Sequence, residues 1–161
     1  MSDGNRRVKL ALFGLGRLGV LRASILAFQQ PRIELVAVCD TKPGTDKWAA
    51  ENLPPAVKYF SDPQECLNNS GAEAVLVCTA TAIHAPFILR ALDLGLHVMC
   101  EKPIFVDIAT TQVVIEKSVS RPDLKFFAKA LIDNGELGEI HAVETTGIDQ
   151  ADPNGLSNPK K

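Results

Sequence analysis

No apolar run in this sequence approaches the roughly 20 residues that a helix needs to cross a bilayer. The N-terminus, Met1-Ser-Asp-Gly-Asn-Arg-Arg7, lacks the apolar core of a signal peptide. No membrane partner is therefore expected, and a cytoplasmic location is. Charge of one sign is not in excess either: 17 Lys and Arg stand against 19 Asp and Glu, a formal net charge of −2. No stretch strings Lys and Arg together with aromatics, so nucleic acid is not an implied partner. Metal or redox spacing of cysteines is also missing. Cys39, Cys66, Cys78 and Cys100 form neither a Cys-x-x-Cys pair nor a Cys/His zinc pattern. They read as reduced thiols, mostly small buried hydrophobes, with no metal site.

What is present suits one globular domain: 161 residues, 46% hydrophobic and 22% charged, are enough to bury a sizeable core. Val8 to Phe13 is a buried-strand pattern that runs into Gly14-Leu15-Gly16-Arg17-Leu18-Gly19. Glycines at that spacing allow a tight turn, close approach of backbone to phosphate, and a helix packed near its strand. A dinucleotide pyrophosphate would sit on the N-terminus of that helix, where unpaired N–H groups favour an anion. By itself the spacing also fits an ordinary turn between strand and helix.

Beyond the glycine loop, strands and helices alternate. Leu18, Leu21, Ile25 and Phe28 recur at helical spacing, and Ile33 to Cys39 resumes an apolar strand. A short helix over Asp46 to Asn52 and a short strand over Val57 to Phe60 follow. Asp62-Pro63 caps a helix reaching about Asn69, and Ala74 to Cys78 is the next strand. A helix over about Ile83 to Leu94 ends at Gly95, and Leu96 to Cys100 is the fifth strand. Asp107 caps a helix through Val119 with Ile108, Ile115 and Val119 on one face. A further helix from Arg121 to Asn134 and a strand from Glu139 to Thr145 complete the pattern, ahead of a polar tail. Strict alternation predicts an α/β fold, a doubly wound parallel sheet with helices on both faces.

Ligands of such sheets bind at the carboxyl ends of the strands. Asp40 ends the second strand, 21 residues past Gly19, near the spacing at which an acid accepts from an adenosine ribose. Its charge would repel a 2′-phosphate and favour NAD over NADP, while the nearby Lys42 weakens that preference; Asp40-Thr41-Lys42 also reads as a solvated turn. Thr79, Ala80 and Thr81 end the fourth strand and offer hydroxyls to a cofactor, or Thr81 merely caps a helix. His84 is either structural or a participant in chemistry. Glu101-Lys102-Pro103 leaves the fifth strand, where the lysine suits a substrate oxygen carrying developing negative charge; a surface ion pair is the plainer reading. His97 and His141 read as structural, and Phe126-Phe127 as core packing.

Several segments together resemble the glucose-fructose oxidoreductase and inositol dehydrogenase family of NAD(P)-dependent enzymes. They are Gly14 to Gly19, Asp40, Thr79 to His84, Gly95 to Pro103 with its Gly-x-His-Val strand and Glu101-Lys102-Pro103, and Ile132 to Ile140. The resemblance covers about Val8 to Thr145. It implies a Rossmann domain binding NAD or NADP, with Lys102 near the nicotinamide and substrate. It also implies oxidation or reduction at a hydroxyl or carbonyl carbon of a sugar, cyclitol or related small polyol.

Members of that family carry a second α/β domain with an Asp-x-x-x-His element. Nothing after Glu144 is suited to build that sheet, and Asp149 is not followed by a histidine four residues on. The expected organisation is therefore a dinucleotide-binding domain over 1–146 and a flexible tail over 147–161, without the substrate domain. The family's sixth strand is expected to be missing or reduced near 118–123. The cofactor-binding set is Gly14, Leu15, Gly16, Arg17, Leu18, Gly19, Asp40, Thr41, Lys42, Thr79, Ala80, Thr81, His84, Glu101 and Lys102, with Lys102 and His84 as catalytic candidates. Pairing through an open sheet edge or apolar helix faces would make a homodimer. Two functions compete: a reduced NAD(P)-dependent oxidoreductase, or a non-catalytic dinucleotide-binding module.

Overall fold

The computed structural model describes residues 6–102, 107–121 and 123. Five strands, β1 (Val8–Phe13), β2 (Ile33–Cys39), β3 (Lys58–Phe60), β4 (Ala74–Val77) and β5 (His97–Cys100), form one parallel sheet in the order β3-β2-β1-β4-β5. The helices are α1 (Arg17–Phe28), α2 (Thr45–Asn52), α3 (Pro63–Asn69), α4 (His84–Asp93) and α5 (Ile108–Val119). The chain runs outward from β1 to β2 and β3, then crosses back to lay β4 on the other side of β1. That reversal opens a crevice at the carboxyl ends of β1 and β4.

Alternation along the strands feeds a core on each face. In β1, Leu10 and Leu12 join α1 and α2 residues such as Ala23 and Ala49. Ala11 and Phe13 point the other way, among Leu67 of α3, Ile88 and Leu92 of α4, and Val114 of α5. Two caps form as the sequence predicts: Asp62 accepts from the Glu65 N–H, and Asp107 from the Thr110 N–H, each at 2.7 Å. The Thr110 hydrogen bonds hold the Asp107 carboxyl below its usual range.

Large apolar residues do not mark the buried face of α1, and the predicted face of α5 is corrected. Leu21 and Phe28 of α1 are 55% and 64% exposed, and the buried positions are Gly19 and Ala23. A helix seated this close to a sheet presents its small residues to it, so periodicity of large side chains selects the wrong face. In α5, Ile108, Ile115 and Val119 are exposed and Val114 is buried; α5 lies against α4 and buries only a narrow strip. The helix predicted from Ile83 is also split: a 3-10 turn, Thr81–Ile83, precedes α4, which begins at His84.

Ser118 to Arg121 forms no sixth strand. α5 ends at Val119, the Arg121 N–H donates to the Ser118 carbonyl, and the Arg121 guanidinium binds Asp123 and the Leu92 carbonyl. Among the described residues the sheet therefore ends at β5. Pro103, the helix to Asn134 with Phe126-Phe127, the strand from Glu139 to Thr145 with His141, the boundary at 146 and the tail 147–161 lie outside the described residues.

Candidate functional site

Three glycines shape the loop after β1. Gly14 has φ +93°, open to a residue without a Cβ, and a Cβ there would lie 2.7 Å from the Cys78 carbonyl oxygen. A Cβ on Gly19 would lie 1.8 Å from the Gly14 carbonyl oxygen, so α1 rests directly on the loop. Gly16 occupies the N-cap of α1 with no side-chain cap, and a Cβ there would meet nothing within 4 Å. The first turn of α1 thus presents its N–H groups and positive dipole end to the crevice.

Asp40, just past β2, bridges to this loop. Its Oδ2 accepts from the Leu15 N–H at 2.5 Å and its Oδ1 from the Lys42 N–H at 2.7 Å. The Tyr59 hydroxyl donates to the Asp40 carbonyl at 2.6 Å, anchoring this strand end to β3. Across the crevice the Thr79 Oγ1 is buried with no hydrogen-bond partner, an unmet demand that normally has an explanation. The crevice holds about 270 Å³ and is lined by Gly14, Gly16, Asp40, Thr41, Thr79 and Ala80 from the predicted set.

Its apolar lining was not foreseen: Phe13, Cys39, Pro63, Cys78, Ile83 and Phe87 also face it. Ile83 and Phe87 stand four residues apart where the chain enters α4, a spacing visible in the sequence. The Phe87 ring packs on that of Phe13, with centroids 5.3 Å apart.

The remaining predicted residues lie outside this lining. Leu15 and Lys42 act on it through their backbone N–H groups on Asp40. Arg17 is exposed and Leu18 half-buried in the first turn of α1, and Gly19 is the contact between α1 and the loop. Thr81 does not cap α4, whose N-cap is Ile83 with no side-chain cap.

His84 is buried, at 1% exposure. Its Nε2 lies 2.9 Å from the Thr79 carbonyl, so that nitrogen carries the proton, and Nδ1 meets the Cys100 thiol at 3.2 Å. The ring ties the end of β4 to the end of β5. Burial, aided by the Glu101 charge, pushes the Cys100 thiol up to about 11 and keeps it protonated.

Glu101 follows β5, and its N–H donates to the Val77 carbonyl at 2.9 Å. Its carboxylate, 11% exposed, accepts from Arg22 Nε at 2.6 Å. Lys102 is exposed. Burial, then the Glu101 charge, pushes the adjacent Cys78 thiol up to about 12. Among the described residues no group of three His, Cys, Asp or Glu side chains is placed to hold a metal ion, and no helix is long and apolar enough to cross a membrane.

A parallel sheet with a glycine-cradled helix terminus at its switch point, and an acid at the neighbouring strand end, defines a dinucleotide-binding Rossmann domain. The chain belongs to the Gfo/Idh/MocA oxidoreductase family, with an NAD-binding Rossmann fold, which matches at residues 8–124. It is 28% identical over 159 residues to the myo-inositol 2-dehydrogenase of Thermotoga maritima, covering 91% of this chain and 47% of that protein. To the scyllo-inositol 2-dehydrogenase (NAD(+)) of Bacillus subtilis it is 32% identical over 145 residues, covering 83% and 42%. The crystal structure of a Lactobacillus casei scyllo-inositol dehydrogenase with bound NAD(H) and scyllo-inositol superposes with a TM-score of 0.70 at 27% identity, covering 83% of this chain and 43% of that one. The chain thus spans about half the length of these relatives.

The residues present fit the family's dinucleotide. The open N-terminus of α1 beside Gly16 suits a phosphate, and the unpartnered Thr79 hydroxyl suits a polar ligand atom.

Proposed function

We propose that this chain is the cofactor-binding half of a cytoplasmic NAD-dependent oxidoreductase acting on a hydroxyl or carbonyl carbon of a cyclitol, sugar or related small molecule. One observation carries the reading: the open helix terminus at Gly16, the Asp40 carboxylate and the unpartnered Thr79 hydroxyl converge on a single crevice. The binding domain extends over 1–146, with 147–161 as tail.

In this reading Gly14 to Gly19 receive the pyrophosphate, and Asp40, with Thr41 and Lys42, receives the adenosine ribose. The Asp40 charge disfavours a 2′-phosphate, so NAD is preferred to NADP. Thr79 and Ala80 line the middle of the site, with Thr81 just beyond them at the entry to α4. Bound NAD supplies a two-electron acceptor for hydride. Lys102 holds the substrate oxygen, takes its proton as hydride leaves to NAD, and returns that proton when the reaction runs as carbonyl reduction. His84, with its ring committed to Thr79 and Cys100, orients strand ends instead of exchanging protons with substrate. The inositol dehydrogenases among the relatives make cyclitols the first substrates to screen.

Titration with NADH and NADPH, followed by cofactor fluorescence, tests the reading. Saturable binding with NADH preferred is expected; unchanged fluorescence with both overturns it. Cyclitol-dependent reduction of NAD, abolished in Lys102→Ala, is the catalytic outcome. Binding without turnover supports a non-catalytic dinucleotide module instead, a reading favoured by the half-length span. We also propose a homodimer through β5, which among the described residues ends the sheet, and where Met99 is 45% exposed beside an apolar groove lined by Leu26 and Leu76. Sedimentation of the parent chain as a monomer at micromolar concentration would exclude it.

A further inference from the structure

The contact between Arg22 and Glu101 follows from how α1 is seated. Because Gly19 lacks a side chain, α1 lies against the loop, and a Cβ at Gly19 would stand 3.7 Å from Cys78 Cβ at the end of β4. Arg22, three residues on, shares that face of the helix. Its side chain therefore passes the end of β4 and reaches the end of β5, where Nε donates to Glu101 Oε1 at 2.6 Å. Arg22 also lies near enough to Cys78 for its charge to lower that thiol, against the raising effect of burial and Glu101.

The two residues are 79 apart in sequence. One sits in the second turn of the helix that starts at the glycine loop; the other immediately precedes Lys102. Among the described residues few backbone hydrogen bonds direct this turn. Among them the Glu101 N–H is held by Val77, while the Cys100 thiol 3.4 Å from its carbonyl is a weak donor already turned to His84 Nδ1. The Glu101 carboxylate is the strong handle on the turn, and Arg22 grips it through a charge-assisted bond.

We infer that Arg22 is a positioning residue: through Glu101 it sets Lys102 at a fixed place relative to the phosphate-binding terminus of α1. This rests on the proposed cofactor site and deepens it. A dinucleotide anchored at that terminus would have its nicotinamide end placed from α1, and the Arg22 strut places the Lys102 turn from the same helix. Arg22 itself touches neither cofactor nor substrate. Arg22 is 40% exposed but the Glu101 carboxylate only 11%, so loss of the guanidinium also leaves a largely buried charge without its partner.

The test compares the parent chain with Arg22→Met, which keeps the alkyl stem, and Arg22→Lys, which restores a charge. Each is titrated with NADH by fluorescence, and saturation-transfer NMR on bound NAD reads adenine and nicotinamide protons separately. In Arg22→Met, the melting temperature should fall, NADH affinity and adenine signals should stay near the parent's, and the nicotinamide signals should drop. Arg22→Lys should recover part of them. Where the parent oxidises a cyclitol, kcat should drop about tenfold in Arg22→Met with the KM for NAD unchanged, as expected for a misplaced catalytic group. Unchanged nicotinamide signals in Arg22→Met overturn the positioning role and leave the cofactor reading intact. A joint loss of adenine and nicotinamide signals also overturns it, because the whole site has then loosened. Absence of NADH binding by the parent overturns the cofactor reading and this inference with it.

Discussion

Gly14, Gly16 and Gly19 share one loop, yet each answers a different physical demand, and substitution should separate them. A methyl on Gly19 would meet a backbone carbonyl, which cannot rotate away, so Gly19→Ala should cost roughly 2–3 kcal/mol and lower the melting temperature. Gly16 has φ −71° and open space around it, so Gly16→Ala should alter stability by less than about 0.5 kcal/mol. Its methyl would nevertheless stand where a phosphate must approach, and NADH titration should show weakened binding. The thiols make a separate prediction. Cys78 and Cys100 are raised from 9.0 to about 12 and about 11 in the folded chain, chiefly by burial. Their stabilising contribution is complete below pH 9 and is lost as pH climbs through the folded values. Urea midpoints should therefore fall above pH 9, and less steeply in a Cys78→Ala, Cys100→Ala double variant.

For the helices, the sequence was informative about ends and misleading about faces. Caps are local, and Asp62 with Pro63 could be read directly; Asp62→Ala should cost about 1 kcal/mol in thermal unfolding. Faces depend on what a helix packs against and how closely. In α5, Ile108, Ile115 and Val119 make a convincing stripe, yet the buried residue is Val114. Val114→Ala should cost roughly 2 kcal/mol, whereas Ile115→Ala should fall within about 0.5 kcal/mol of the parent. The reverse ranking would restore the face that periodicity selects. α1 teaches the same lesson through Gly19 and Ala23, whose smallness makes the contact that Leu21 and Phe28 do not.

Across the whole molecule, the switch in strand order brings loops far apart in sequence to one crevice. A ligand bound there should stabilise the fold by mass action. At a hundredfold excess over its dissociation constant, NADH should add about 2.7 kcal/mol, raising the melting temperature by roughly 5–10 °C, and NADPH less at equal concentration. Equal shifts with both cofactors would remove the role given to the Asp40 charge. The sequence by itself determined the order and kind of the elements from β1 through α5, the glycine loop, the acid ending β2 and the family, because these are written in neighbouring residues and fixed spacings. Only the tertiary structure decided which helix faces are buried, that the His84 ring is enclosed between Thr79 and Cys100, and that Arg22 reaches Glu101. Those outcomes depend on how closely α1 approaches the sheet and on which strand ends become neighbours, distances that no local pattern records.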